Sequence, residues 1–430
     1  MLPAKTSRPL LIGGAPLLAV MLLAACIAMP EGTTVKDHHR RASDAIVAAE
    51  RSLIAFRHDL HRHPELSMQE ERTSRKIAEQ LDALGFDVRT NVGGYGVVGV
   101  LYGDGPGASD GPTVAFRADM DAVRDYTDDP VPYASTAKGV RHNCGHDMHS
   151  AIGLGLAIGF AEIRDTLPGN VMLVFQPAEE TGTGARSMLA DGVFADLKPD
   201  AILAVHTYPL EVGELAVRPG GLLAGRAQFA ISMTGMGDVA DAAAQVSAAL
   251  KAVSTISPDA RLEQSPPDFI DVQLTPRTVD PVDGKIVVHG TVMSAGIEGR
   301  AYVREQITTA IDRLGLEDID LDMSYLQTFE GVNNDPVVLS RTSQAITSLT
   351  PEVSIQTLDY VYPAFSEDFG SFQLEVPGVM YLLGVNNSKT GTVGFPHSPD
   401  YVADDAAIVV GSRAMLAAAL SFMEGLETGG

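Results

Sequence analysis

The chain has 430 residues, 45% of them hydrophobic, 42 Gly and 25 Pro without a period, and a formal charge of -24. That length exceeds one ordinary domain and the apolar content fills cores, so fibrous and low-complexity classes are excluded and two domains are expected. The acidic balance argues against nucleic acid, and against anionic membrane surfaces, as direct partners.

Lys5 and Arg8 precede an apolar stretch, residues 10–25, broken by Gly13, Gly14 and Pro16. It is too short and too interrupted for a transmembrane helix and reads as an export signal, residues 1–25. Its end, Leu23-Ala24-Ala25-Cys26, resembles the bacterial lipobox, a signal cut before a Cys that then takes a lipid. Cys26 is therefore the expected lipidation site, and the polar residues 26–42 are the expected tether. The expected location is the bacterial cell envelope, at the outer membrane facing the periplasm or the exterior, with membrane contact only through that lipid. The one other cysteine is Cys144, so no disulfide is expected.

From residue 43 the apolar residues Ile46, Leu53, Ile54, Phe56 and Leu60 recur at helical spacing. A second helix is predicted over 67–84, ended by Gly85. Strands are predicted over 97–102 and 113–118. Residues 148–163 predict a helix whose Gly153, Gly155 and Gly159 suit close packing. The runs 171–175 and 201–205 are almost wholly apolar, as in strands buried on both faces. This alternation predicts an α/β fold with a mixed, mostly parallel sheet flanked by helices. Within 222–333 the order is strand 228–233, helix 238–253, strands 269–274 and 285–293, helix 300–314, strand 321–326. That β-α-β-β-α-β order predicts a ferredoxin-like module. Helix 338–349, strand 379–383 and helix 403–423 then resume the first pattern. The expected organisation is a metal-binding catalytic domain, 43–221 and 334–426, interrupted by an inserted module, 222–333.

Chemistry concentrates in four places. Cys144-Gly145-His146 sets a thiol and an imidazole two residues apart at a helix start. Glu179 and Glu180 follow strand 171–175, and His206 ends strand 201–205, where functional groups collect in α/β sheets. His397 lies in a loop between Pro396 and Pro399. Cys, His and Glu from separate loops form a zinc-type donor set. Neighbouring carboxylates repel unless a cation separates them, so one as ligand and one as base is the natural division. Such a base takes a proton from a water acidified by the metal and delivers it to the leaving nitrogen. Asp119 and Asp121 end strand 113–118, where an Asp either orients an imidazole or caps a turn. His58, His61 and His63 close a helix, and the structural reading is preferred there. His142 and His149 flank the site as hydrogen-bonding support.

The blocks 59–66, 116–122, 142–149, 175–180, 366–369 and 396–399 together resemble the di-metal aminoacylase–carboxypeptidase family. The similar branch is that of hippurate hydrolase, N-acyl-amino-acid amidohydrolase and the indoleacetate–amino acid hydrolases, and the likeness covers nearly all of 43–425. It implies that Cys144, His146, Glu180, His206 and His397 bind two divalent metal ions, zinc first, with manganese or cobalt as alternatives. It implies Glu179 as general base and Asp121 as the residue orienting a ligand. It also implies N-acyl amino acid or short-peptide substrates, and an inserted module that acts as lid and makes a homodimer. The chain departs from the pattern where the family carries Gly-x-Gly-Gly-His: here stands Gly235-Met236-Gly237-Asp238. Gly290-Thr291-Val292-Met293 likewise lacks the family's Arg. His289, the module's one remaining imidazole, is the candidate for substrate binding. Loss of an oxyanion donor costs about two to three orders of magnitude in rate. The alternative is therefore a non-catalytic lipoprotein that keeps its metal and binds a ligand or partner; Glu179 argues against it. A zinc nucleobase deaminase is excluded by the lack of Pro-Cys-x-x-Cys.

Overall fold

An eight-stranded sheet organises the chain. Its order is Asp87–Val92, Gly96–Tyr102, Asn170–Gln176, Thr113–Asp119, Ala201–Glu211, Gly378–Asn386, Glu214–Val217, Ser354–Thr357. The four central strands run parallel and join their neighbour on each side antiparallel; beyond these, Asp87–Val92 pairs antiparallel and Ser354–Thr357 parallel, so the sheet is mixed. The computed structural model describes residues 34–256, 269–275, 278–279, 285–361 and 365–423. The expected export signal and Cys26 lie outside the described residues.

Helices cover both faces of this sheet, which is why its central strands are mostly apolar and carry their polar residues mainly toward the ends. In Asn170–Gln176, Val171, Leu173 and Phe175 enter one core while Met172 and Val174 enter the other. The first core also holds helices His146–Ile163 and Ala406–Met423. The glycines of His146–Ile163 permit that contact: a Cβ on Gly155 would lie 2.3 Å from Ser412 Oγ, and one on Gly153 2.9 Å from Phe175.

One expectation is corrected here. Residues 35–42, read as tether, begin helix Val35–Ala48. A reciprocal Thr34–Asp37 capping box starts it. Its inner stripe contains His38, His39, Ala42, Ser43 and Ile46, so two imidazoles and a hydroxyl take places that are usually apolar. His39 reaches the Arg413 carbonyl at 3.4 Å and Ser43 at 3.3 Å, which satisfies its ring once buried.

The second sheet has the order Ile270–Leu274, Ile286–Ala295, Gly220–Gly235, Ile319–Phe329, all antiparallel. Helices Val239–Lys251 and Gly296–Asp312 lie on one face, over Phe229, Ile231 and Val288. This is the strand order of a ferredoxin-like unit, with the short strands Thr278–Val279 and Val332–Asn334 added. The opening residues of Gly220–Gly235 pair with Val332–Asn334, so entry to and exit from this sheet run side by side.

Candidate active site

A cavity of about 230 Å³ opens at the carboxyl ends of the central strands. Cys144, Glu179, Glu180, His206 and His397 line it from the larger sheet, and Arg226 and Phe329 from the smaller. A larger hollow, about 630 Å³ beside Asp335 and Pro377, holds no such donor set.

The Cys-Gly-His turn depends on Gly145, which has φ +93° and precedes helix His146–Ile163. A Cβ there would meet Tyr401 Oη at 2.4 Å and Thr207 at 2.6 Å. The Thr207 hydroxyl donates to the Cys144 carbonyl at 2.7 Å, tying the turn to strand Ala201–Glu211. Cys144 Sγ lies 3.4 Å from His206 Nε2. His206 Nδ1 sits 2.9 Å from the Thr207 carbonyl, which fixes the proton on Nδ1 and leaves Nε2 open to a ligand. His397, at φ +61°, donates its backbone N–H to the Asn143 carbonyl at 2.8 Å. That bond draws the C-terminal loop onto the cysteine turn.

Glu180 stands between two imidazoles, with Oε1 3.7 Å from His146 Nε2 and 3.5 Å from His397 Nε2. Asp121 supports this arrangement from behind. Its Oδ1 and Oδ2 accept the backbone N–H groups of Glu179 and Glu180, each at 3.1 Å, and Ser67 donates to it at 2.6 Å. Asp121 Oδ1 is also 3.3 Å from His146 Nδ1. The turn passes through Ala178 at φ +54°, whose N–H is held by Glu70 at 2.8 Å. Backbone strain thus falls on two loops that deliver site residues.

The electrostatics call for positive charge. Burial and the neighbouring Glu180 and Glu179 push the Cys144 thiol well up. Burial, with Glu367 and Glu180, does the same to the Glu179 carboxyl. Glu180 is pushed up to about 8 by burial and Asp121, against the pull of His146. Burial lowers His206 to about 3 and His397 to about 4, so both are neutral donors. His146 overcomes burial and rises to about 10 through Asp119 and Asp121. Divalent cations reverse these penalties by favouring thiolate and carboxylate.

The donor set fits such ions. His146 is fully buried with neither ring nitrogen hydrogen-bonded, and Glu180 Oε1 is buried without a hydrogen bond. Two triads of donor atoms, Cys144–His146–His206 and Cys144–Glu180–His397, each gather within 4.8 Å and share the cysteine. Thiolate, imidazole and carboxylate in that combination suit zinc or a related first-row ion.

Around this cluster lies a buried frame. Arg117 pairs with Asp119 at 2.6 Å, Glu367 at 2.7 Å and Asp368 at 3.4 Å, and donates to Gln176 at 2.8 Å. Arg57 and His61 both hold Asp147, at 3.1 and 2.9 Å, under the first turn of helix His146–Ile163.

A family model for peptidase family M20/M25/M40 matches residues 115–421. The chain belongs to that family. This M20 chain is 30% identical over 394 residues to an N-acetylcysteine deacetylase of Bacillus subtilis, covering 87% of this chain and 98% of that one. It is 29% identical to an IAA-amino acid hydrolase of Arabidopsis thaliana, over 86% of this chain and 80% of the other. Among solved structures it is similar to a dinuclear metal-binding M20 peptidase of Bacillus subtilis, with TM-score 0.73, 29% identity, and 88% and 99% of the two chains covered. The M20 chain is thus a hydrolase of amide bonds with a mixed α/β fold.

Five of the sequence-predicted site residues line the cavity, Cys144, Glu179, Glu180, His206 and His397, and a sixth, His146, gathers with them from its buried place. Asp121 lies directly behind them. His289 does not line the cavity: it pairs with Ala230, four residues along its strand from Met293, which pairs with Arg226. At about 3.4 Å per residue that is roughly 14 Å away. Asp119 orients an imidazole, that of His149, at 2.6 Å, while the Thr207 N–H occupies the other nitrogen of His149 at 2.9 Å. His149 is therefore support rather than a donor. The helix-end histidines are structural: His58 stacks on Tyr133 and reaches Asp405, and His63 bonds the Asp59 carbonyl. The Arg117 frame and the cavity wall of Arg226, Phe329 and Phe365 were not foreseen.

Proposed function

We propose that this chain cleaves N-acyl amino acids or short peptides at their amide, with Cys144, His146, Glu180, His206 and His397 holding two divalent cations and Glu179 as general base. The observation that carries the reading is the pair of donor triads sharing Cys144, with Glu179 beside them on the cavity wall. Cations bound there polarise a carbonyl and acidify water. Glu179 accepts the water's proton on its carboxylate, and its buried setting beside Glu367 keeps it more basic than an ordinary Glu. It then delivers the proton to the departing amine. Asp121 keeps the Glu179–Glu180 turn and His146 in register for that exchange. The printed activities of the two relatives, on N-acetylcysteine and on IAA–amino acid conjugates, support this substrate class.

Zinc is the proposed metal, with manganese or cobalt as substitutes. The proposed setting is the cell envelope, with a lipid on Cys26 and a homodimer formed through the smaller sheet; the N-terminal sequence and the family resemblance support these. Mass spectrometry of the envelope-extracted protein tests the first, and light scattering the second.

Glu179→Gln is the decisive variant. Near-normal metal content with loss of hydrolysis across a panel of N-acyl amino acids, assayed with added zinc or manganese, is expected. Retained turnover refutes the assignment. Failure of the wild type on the whole panel favours the non-catalytic alternative.

A further inference from the structure

Arg226 is the only Lys or Arg among the described residues lining the cavity. It comes from strand Gly220–Gly235, and neighbours on both sides fix its backbone: Met293 on one strand, Phe329 on the other. A register shift between Tyr325 and Gln327 sets that second pairing. Without it Thr328 would stand opposite Arg226; with it Phe329 does, and both side chains face the cavity.

The chain has 55 acidic and 31 basic residues, so a cation without an acidic neighbour is unusual. The other inward arginines, Arg57, Arg117 and Arg141, all have carboxylate partners. Arg226 is partly buried, yet it has no ion pair or side-chain hydrogen bond with any described residue. Glu179 and Glu180 line the same cavity, but neither comes within ion-pair distance of it. Leu223, Phe329, Phe365 and Leu382 line the same cavity, an apolar setting that penalises an unpaired cation and strengthens its attraction to an arriving anion. A guanidinium presents a planar fork that matches a carboxylate. The cavity is smaller than most ligand pockets, so its occupant is small enough to touch the donor cluster and Arg226 together.

We propose that Arg226 is the specificity-determining residue of this site, and that it pairs with the free carboxylate of the substrate while the amide lies at Glu179. This rests on the amidohydrolase reading and adds the residue that recognises the acid end. It also gives a role in binding to the smaller sheet, which contributes no imidazole to the cavity.

The test is binding rather than turnover. Zinc-loaded wild type, Arg226→Gln and Arg226→Lys are titrated by calorimetry with N-benzoylglycine and with its carboxamide. Wild type is expected to prefer the acid. Arg226→Gln weakens the acid about 10- to 100-fold and leaves the amide within twofold, and Arg226→Lys falls between. Equal weakening of both probes, no weakening, or no wild-type preference for the acid overturns the proposal. Circular dichroism and zinc content of each variant verify the fold. A wild type that prefers the acid but never hydrolyses it sinks the amidohydrolase reading and leaves only the pairing of Arg226 with a carboxylate standing.

Discussion

Asp121→Asn isolates the support behind the donor cluster. The carboxylate accepts two backbone N–H groups at 3.1 Å and the Ser67 hydroxyl at 2.6 Å, and it stands 3.3 Å from His146 Nδ1. An asparagine keeps one oxygen and turns an NH2 group toward the other backbone N–H. One backbone donor is then left unsatisfied, at a cost of about 1 to 3 kcal/mol. The negative charge facing His146 disappears as well, and loss of such a partner lowers metal affinity or activity about 10- to 100-fold. The two effects act on one turn, so they are not additive. Zinc affinity is read by competition with a chromophoric chelator, and kcat/KM with N-benzoylglycine at saturating zinc. Affinity should fall at least tenfold, whereas Ser67→Ala, which spares both backbone bonds, should change it less than threefold. An Asp121→Asn protein with wild-type zinc affinity refutes the role assigned to this carboxylate.

Gly145→Ala combines a positive φ with a collision against Tyr401 and Thr207, and should cost about 2 to 5 kcal/mol by urea denaturation. Gly107→Ala shares a positive φ but meets nothing within 4 Å, so it should cost only the backbone part, about 1 to 2 kcal/mol; equal losses in the two would contradict the steric account. Glu70 is raised to about 7 by burial and Asp121. A raised acid holds its proton in the fold, so its favourable contribution is complete below pH 4.5 and is lost as pH climbs through 7. Glu70→Gln keeps an acceptor for Ala178 and should melt higher than wild type at pH 8, by up to about 3 kcal/mol, but not at pH 4. A gap of the same size at both pH values would rule this out.

The central strands were legible because burial on both faces makes their inner runs apolar, as in residues 201–205 and 171–175. The edge strands were not. Asp87–Val92 and Ser354–Thr357 are largely solvated and carry no apolar run. Helix Val35–Ala48 was hidden because its inward stripe includes histidine and serine. The donors were legible one by one, each at a strand end or tight turn. Their supports were not, since each depends on a distant partner. Arg117 and Glu367 are 250 residues apart in sequence, and only the fold joins them. Phe329 stands opposite Arg226 by virtue of a one-residue shift in the neighbouring strand, which no local pattern announces.

The bond from His397 to Asn143 joins points more than half the chain apart. Synthesis proceeds from the N-terminus, so the cysteine turn leaves the ribosome long before its last imidazole partner exists. On the proposed ligand assignment, full chelation would therefore be a closing event of biogenesis: a truncated polypeptide would hold an incomplete nest, and tight ion capture would certify that the whole catalytic body has been built.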